Sequence, residues 1–153
     1  RALATKVLDN GAAYQKLCDM VAAQGGDVNC IKNPKLLKQA PLTREVRAMD
    51  SGFIQRMDAE LCGIASMQLG AGREKLGDTL DMGAGIILKK KTGDKVAKGD
   101  VIAVLLGSKE ERFAQAEKTF LSAITIGAKK PVLRPLVLAH IGTDGTVESF
   151  FKE

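Results

Sequence analysis

The fold is decided by residues 51–106, which read SGFIQRMDAELCGIASMQLGAGREKLGDTLDMGAGIILKKKTGDKVAKGDVIAVLL. A helix-like half passes through a glycine-rich turn into a strand-like half. Asp58 is a typical N-cap, and apolar residues recur from Leu61 to Leu69 at helical spacing. Gly70 can then end the helix in a left-handed conformation. We therefore predict one helix of about three turns between Asp58 and Gly70.

Strand-like runs lie on both sides of this helix. Residues 52–57 form an apolar run before it, and residues 85–88 (GIIL) and 101–106 (VIAVLL) follow it. The two later runs are rich in β-branched residues, and the Gly-Asp pairs at 93–94 and 99–100 supply turn chemistry between them. The stretch thus predicts a small β-rich module with an inserted helix.

Several blocks of this chain are similar, in the same order, to the C-terminal region of the pyrimidine-nucleoside phosphorylases, which form the thymidine phosphorylase family. The blocks are NGAA at 10–13, MVAAQG at 20–25, SGFI at 51–54, MDA at 57–59, LGAGR at 69–73, DTLD at 78–81 and GIILKKKTGDKVAKGD at 85–100. The last of them resembles the broad-specificity pyrimidine enzymes more closely than the strict thymidine enzymes.

The resemblance implies reversible phosphorolysis, in which a pyrimidine nucleoside and phosphate give the free base and (deoxy)ribose 1-phosphate. In that family, the segments that bind phosphate and the pyrimidine lie earlier in a much longer polypeptide. The resemblance therefore implies a part that lacks the active site and whose partner is the remainder of the parent enzyme, a homodimer. The first residue, Arg1, is not Met. This agrees with a fragment, a processed product or an artificial boundary.

The expected fold class is α+β in two parts. Residues 1–40 form a helical segment, with helices over 2–8 and 12–23, that the resemblance assigns to the large α/β domain of the parent, together with a proline-bounded linker. Residues 41–153 form a mixed module similar to a barrel-sandwich with an inserted helix. Before that helix, residues 45–49 alternate between polar and apolar as a half-buried strand does.

The last third of the chain predicts one more helix and a terminal strand. Residues 108–111 match the capping-box pattern, and an apolar stripe then continues to Ile126, so a helix is expected over 109–126. A strand over 135–141, a turn at 142–145 and a short end over 147–151 complete the chain.

Composition excludes several classes of function. The net charge of +5 comes with no Trp, one Tyr and five Phe, so the stacking surfaces of a single-strand nucleic-acid binder are missing and no nucleic acid is expected. No apolar run approaches the roughly 20 residues that span a bilayer. Cys18, Cys30 and Cys62 are odd in number and form no CxxC pair, which argues against a zinc site or a disulfide framework. A reducing, cytoplasmic setting is expected.

Gly70, Gly72 and Arg73 could cradle a phosphate, but their spacing is not that of a P-loop or a GxGxxG motif, and glycines that end a helix explain them without a ligand. Lys95 lies in a Gly-Asp-x-Val stretch that resembles biotinyl and lipoyl carrier domains, although not their modified-lysine hairpin. A free-standing carrier or an interaction module is accordingly the alternative hypothesis, and an adduct on Lys95 would favour it.

Acid–base chemistry has few candidates. Asp78 and Asp81 lie three residues apart beside a glycine turn, and turn hydrogen bonds account for both. His140 has no Ser, Cys or acidic residue at motif spacing. We assign no catalytic, cofactor-binding or metal-binding residue from the sequence and expect no cofactor.

Overall fold

The chain divides into two units, Arg1–Gln39 and Ala40–Glu153. This computed structural model describes residues 1–150. Phe151, at which the predicted short end finishes, lies outside the described residues.

The first unit consists of helices. They are α1 (Ala2–Asp9), α2 (Ala12–Ala23), α3 (Asn29–Lys32) and a 3₁₀ turn (Pro34–Leu36). The first two confirm the helices predicted over 2–8 and 12–23. None of the residues of α1 is buried, and Cys18 is the buried residue of α2. The side chains of Leu3 and Leu8 are 72% and 69% exposed. These helices therefore bury little apolar surface within their own unit.

Residues 40–150 of the second unit form three antiparallel sheets. Its strands are β1 (Leu42–Arg47), β2 (Gly52–Met57), β3 (Gly85–Leu88), β4 (Lys95–Val96), β5 (Val101–Gly107), β6 (Ile124–Gly127), β7 (Ala139–Ile141) and β8 (Val147–Ser149). The strand orders are β1-β5-β3, β4-β2-β6 and the hairpin β7-β8. The two predicted runs GIIL and VIAVLL do pair, as β3 and β5, while β4 between them joins the other sheet. The mixed α+β class is confirmed.

Two helices close the core of this unit. They are α4 (Ala59–Ser66) and α5 (Phe113–Ser122). The predicted apolar stripe of α5 is buried, with Phe113, Ala116 and Phe120 at 0–1% exposure. Ile54 of β2 and Leu105 of β5 are fully buried in the same cluster. Each such side chain contributes about 1.5–3 kcal/mol relative to an exposed one.

The predicted helix over 109–126 is wrong at both ends. A 3₁₀ turn (Glu110–Arg112) precedes α5, and the N-cap residue Lys109 makes no side-chain cap hydrogen bond, so the capping box is not formed. Residues Ile124–Gly127 are strand β6, which pairs with β2. β-Branched residues favour strands, and here the tertiary pairing overrides the helical spacing of the apolar residues.

Two further boundaries differ from the prediction. Strand β1 begins at Leu42 and ends at Arg47, instead of covering 45–49, because its register runs from Leu42 opposite Gly107. The terminal strand is Ala139–Ile141 and not 135–141. Pro135 lacks the backbone donor that a ladder needs.

Candidate functional site

The turn that ends α4 is built as the sequence predicts. The Asp58 side chain accepts a hydrogen bond from the Leu61 amide at 3.1 Å, which caps the helix. After Ser66, the helix widens into a π-type turn, Met67–Ala71, in which Gly70 has φ = 113°. L-Residues rarely adopt that conformation, so glycine is required there on backbone grounds alone.

Gly70 also closes the neck of a loop over 71–80. Its carbonyl accepts a hydrogen bond from the Asp81 amide at 2.9 Å. A Cβ at Gly70 would lie 3.2 Å from the Asp81 Cβ and 3.4 Å from Arg112 Nη1. The chain therefore leaves and re-enters the fold at one point, as an Ω-loop does. Leu76, in this loop, is fully exposed.

An open groove of about 530 Å³ adjoins this neck. It is lined by Met67, Gln68, Glu74, Glu111, Arg112 and Gln115. Arg112 Nη1 donates to the Gln68 carbonyl oxygen at 3.5 Å, and Gln68 Oε1 is buried without a hydrogen-bond partner in residues 1–150. Two carboxylates and one guanidinium line the groove, a charge balance that disfavours a phosphate dianion.

The carboxylates weighed as an acid–base pair are turn caps. Asp78 accepts hydrogen bonds from the amides of Glu74 at 3.1 Å and Lys75 at 2.9 Å. Asp81 accepts from the Gly83 amide at 3.2 Å. Arg73 is exposed and makes no ion pair in the described part of the chain. The turn thus uses the two carboxylates to satisfy backbone amides.

Lys95 and His140 lie on different sheets. Lys95 is the first residue of β4 and is opposite Phe53 of β2, so it occupies a strand position. His140 is exposed in β7, opposite Glu148 of β8. Neither residue joins the groove beside Gly70.

The three cysteines are free, with Cys18 buried and the other two half-buried. Burial raises the pKa of the Cys62 thiol, and the nearby Asp58 carboxylate raises it further, so this thiol is held in its protonated form. In residues 1–150, no group of three or more His, Cys, Asp and Glu side chains could hold a metal ion. Within the same residues, no helix combines the length and apolar character that crossing a membrane requires.

Comparison with known proteins identifies the family to which this part of the chain belongs. Residues 53–127 match the family described as "Pyrimidine nucleoside phosphorylase C-terminal domain". The chain carries a pyrimidine-nucleoside phosphorylase C-terminal region. This phosphorylase domain includes Gly70, the groove and Lys95, whereas His140 lies beyond the matched residues.

Two curated relatives agree with the family match. The chain is 39% identical over 110 residues to a pyrimidine-nucleoside phosphorylase of Bacillus subtilis (strain 168). This alignment covers 72% of this chain and 25% of the relative. It is 35% identical over 144 residues to a pyrimidine-nucleoside phosphorylase of Staphylococcus aureus (strain bovine RF122 / ET3-1). This alignment covers 94% of this chain and 33% of the relative. The chain thus spans a quarter to a third of the length of these relatives.

The sequence did not single out the groove residues. Gln68 and Arg112 are 44 positions apart, and only the packing of α5 against the end of α4 brings them together. Hydrophobic periodicity carries no information about such a pair, since both residues are polar, Gln68 in the π-type turn after α4 and Arg112 in the 3₁₀ turn before α5.

Proposed function

We propose that this chain is the C-terminal part of a pyrimidine-nucleoside phosphorylase and that it supports the structure of the enzyme without supplying its active site. The parent reaction is phosphorolysis of a pyrimidine nucleoside to the free base and (deoxy)ribose 1-phosphate. The phosphate and the nucleoside are bound by the remainder of the parent polypeptide, which is the partner of this chain.

One observation carries this proposal: the two carboxylates at the Gly70 turn, of Asp78 and Asp81, are engaged in holding the turn together. Asp78 and Asp81 accept hydrogen bonds from backbone amides, and the adjoining groove holds two carboxylates against one guanidinium. Phosphorolysis needs an anion site with excess positive charge, because the attacking group is phosphate. The coverage of 25% and 33% of the relatives leaves ample polypeptide elsewhere for such a site.

A replacement experiment tests the proposal. We expect the purified chain to show no phosphorolysis of uridine or thymidine above background in excess phosphate. A chimera of the Staphylococcus aureus relative, in which this chain replaces the 144 aligned residues, is expected to retain activity.

The matched control is the same chimera with Phe120→Ala, which removes a fully buried side chain of α5 and should lower activity through loss of fold. Turnover by the isolated chain would place the active site within these residues. A well-folded but inactive chimera would contradict a shared structural role.

We further propose a domain assignment, an oligomeric state and a compartment for the parent enzyme. The first unit belongs to the α/β domain of the parent, residues 41–153 form the barrel-sandwich-like module, and the parent is a cytoplasmic homodimer. The free thiols of Cys18, Cys30 and Cys62 support a reducing compartment. The choice between thymidine and broader pyrimidine specificity rests with the remainder of the parent.

The intact mass of the protein distinguishes the carrier hypothesis from the phosphorylase proposal. Lys95 lies in a strand register opposite Phe53, and a modified lysine at a hairpin tip would be more accessible. We therefore expect the intact mass of naturally expressed protein to lack a biotin or lipoyl adduct. An adduct on Lys95 would replace the phosphorylase proposal with the carrier function.

A further inference from the structure

Strand β3 has an open edge. It is the outer strand of the β1-β5-β3 sheet, and the amide after its end, that of Lys89, donates to the Ile102 carbonyl at 2.9 Å. Bonded and non-bonded pairs alternate along antiparallel strands, so the backbone groups of Ile86 and Leu88 point away from β5. No hydrogen bond to these groups is made by any residue of the described chain. Such an edge is a template for an added strand.

An apolar groove of about 440 Å³ begins at this edge. It is lined by Met57, Ala59, Cys62, Leu88, Lys91 and Thr92. Met57 and Cys62 pack against the core cluster, and Leu88 both lines the groove and ends the open strand. Its floor is uncharged, because burial holds the Cys62 thiol protonated. A groove of this kind fits one apolar side chain from a strand that lies along β3.

Lysines follow the open strand, and one of them, Lys91, lines the groove. Lys89, Lys90, Lys91 and Lys95 follow the open strand, and none of them forms an ion pair within residues 1–150. Asp94, in the same stretch, accepts a hydrogen bond from the Lys91 amide at 2.7 Å. Asp58, between the groove residues Met57 and Ala59, forms an ion pair with Arg56 at 2.6 Å. Lysines next to a short edge strand oppose pairing with an identical strand. A second copy would bring its own lysines, whereas an acidic strand would find opposite charges.

We propose that the β3 edge and this groove bind an extended acidic segment of another protein by strand addition. The segment pairs with the backbone of Ile86 and Leu88, places an apolar side chain between Met57 and Leu88, and sets its carboxylates opposite the lysines. The apolar groove separates this partner from nucleic acid, whose phosphates would use the lysines alone. The proposal goes beyond the phosphorylase function, which assigns no partner to this edge.

Amide exchange gives a direct test, with the heptapeptide Glu-Val-Glu-Leu-Glu-Val-Glu as the probe. At saturation, we expect the amides of Ile86 and Leu88 to exchange at least tenfold more slowly in nuclear magnetic resonance spectra. The Ile87 amide faces β5 by the same alternation and serves as the internal control, with unchanged exchange. The same peptide with N-methyl groups at alternate positions should bind at least tenfold more weakly, since it cannot complete the ladder.

Charge is tested with a matched pair of variants. Lys91→Glu, at the groove, should weaken peptide binding at least tenfold, and Lys118→Glu, exposed on α5, should change it less than twofold. Absence of binding would overturn the proposal, as would binding that leaves Ile86 and Leu88 exchanging freely, which is the result for a general polyanion site. Protection of Leu88 in the active chimera without peptide would show that the rest of the phosphorylase covers this edge, and would also overturn it.

Discussion

Replacing Gly70 with alanine is the sharpest test of how the loop over 71–80 is held. The substitution places a side chain on a residue with φ = 113°, which costs about 1–2 kcal/mol of backbone strain. The new Cβ would also lie 3.2 Å from the Asp81 Cβ, closer than ordinary contact, and overpacking adds about 1–3 kcal/mol. We expect Gly70→Ala to destabilise the second unit by about 3 kcal/mol in total.

Thermal unfolding followed by circular dichroism measures this loss. At about 4–8 °C per kcal/mol for a domain near 100 residues, the melting temperature should fall by roughly 12–24 °C. Gly63→Ala is the matched control, because Gly63 lies inside α4 with nothing within 4 Å of its added Cβ. It should stabilise the unit by about 0.5–1 kcal/mol.

Phosphate separates the structural role of Gly70 from anion binding. If the turn bound phosphate, the ligand would raise the melting temperature of the unsubstituted chain beyond an equally kosmotropic sulfate control. Arg73→Ala would then abolish that gain. We expect equal effects of the two salts and no effect of Arg73→Ala on the difference. A near-neutral Gly70→Ala together with a phosphate-specific gain would refute the structural reasoning.

Two further substitutions test the core and the terminal hairpin. Phe120→Ala should destabilise the second unit by about 3–5 kcal/mol in urea unfolding, since the side chain is fully buried, and a loss below about 1 kcal/mol would contradict its place in the core. The hydroxyl and the amide of Thr146 donate to the Asp144 carboxylate and hold its pKa below the ordinary 3.8, so this contact stabilises the hairpin above that pH and is lost as the pH falls through the lowered value. Thr146→Val should move the Asp144 pKa back toward 3.8 in a carboxylate titration by nuclear magnetic resonance, and an unchanged pKa would contradict the assignment.

Local signals predicted much of the fold. The cap at Asp58, the apolar spacing of α4 and the glycine that ends it all act within one turn of the chain, so the sequence contains them directly. The same holds for α2, which occupies the predicted residues. Strand β6 could not be found in this way, because Ile124 and Ile126 also fit the helical stripe of α5. Their strand conformation follows from pairing with β2, about 70 residues away in sequence.

The candidate site also contains local features that the sequence predicts and tertiary features that it does not. The glycine turn and its aspartate caps join residues at most four positions apart and were predicted as turn structure. The groove depends on Gln68 and Arg112, which meet only through tertiary packing, and the β3 edge depends on the strand order of a sheet. Both surfaces are properties of topology, which spacing in the sequence does not determine.

The aspartates that act as caps include Asp94, the one carboxylate in the lysine-rich stretch that follows β3. The carboxylates of four aspartates are fixed on backbone amides, and they are Asp58 on Leu61, Asp78 on Glu74 and Lys75, Asp94 on Lys91, and Asp100 on Ala97. The amide dipoles that such a carboxylate contacts offset part of its charge. Asp58 in addition forms an ion pair with Arg56 at 2.6 Å. An acidic strand that binds at this edge supplies the carboxylates that the turns of the chain itself withhold.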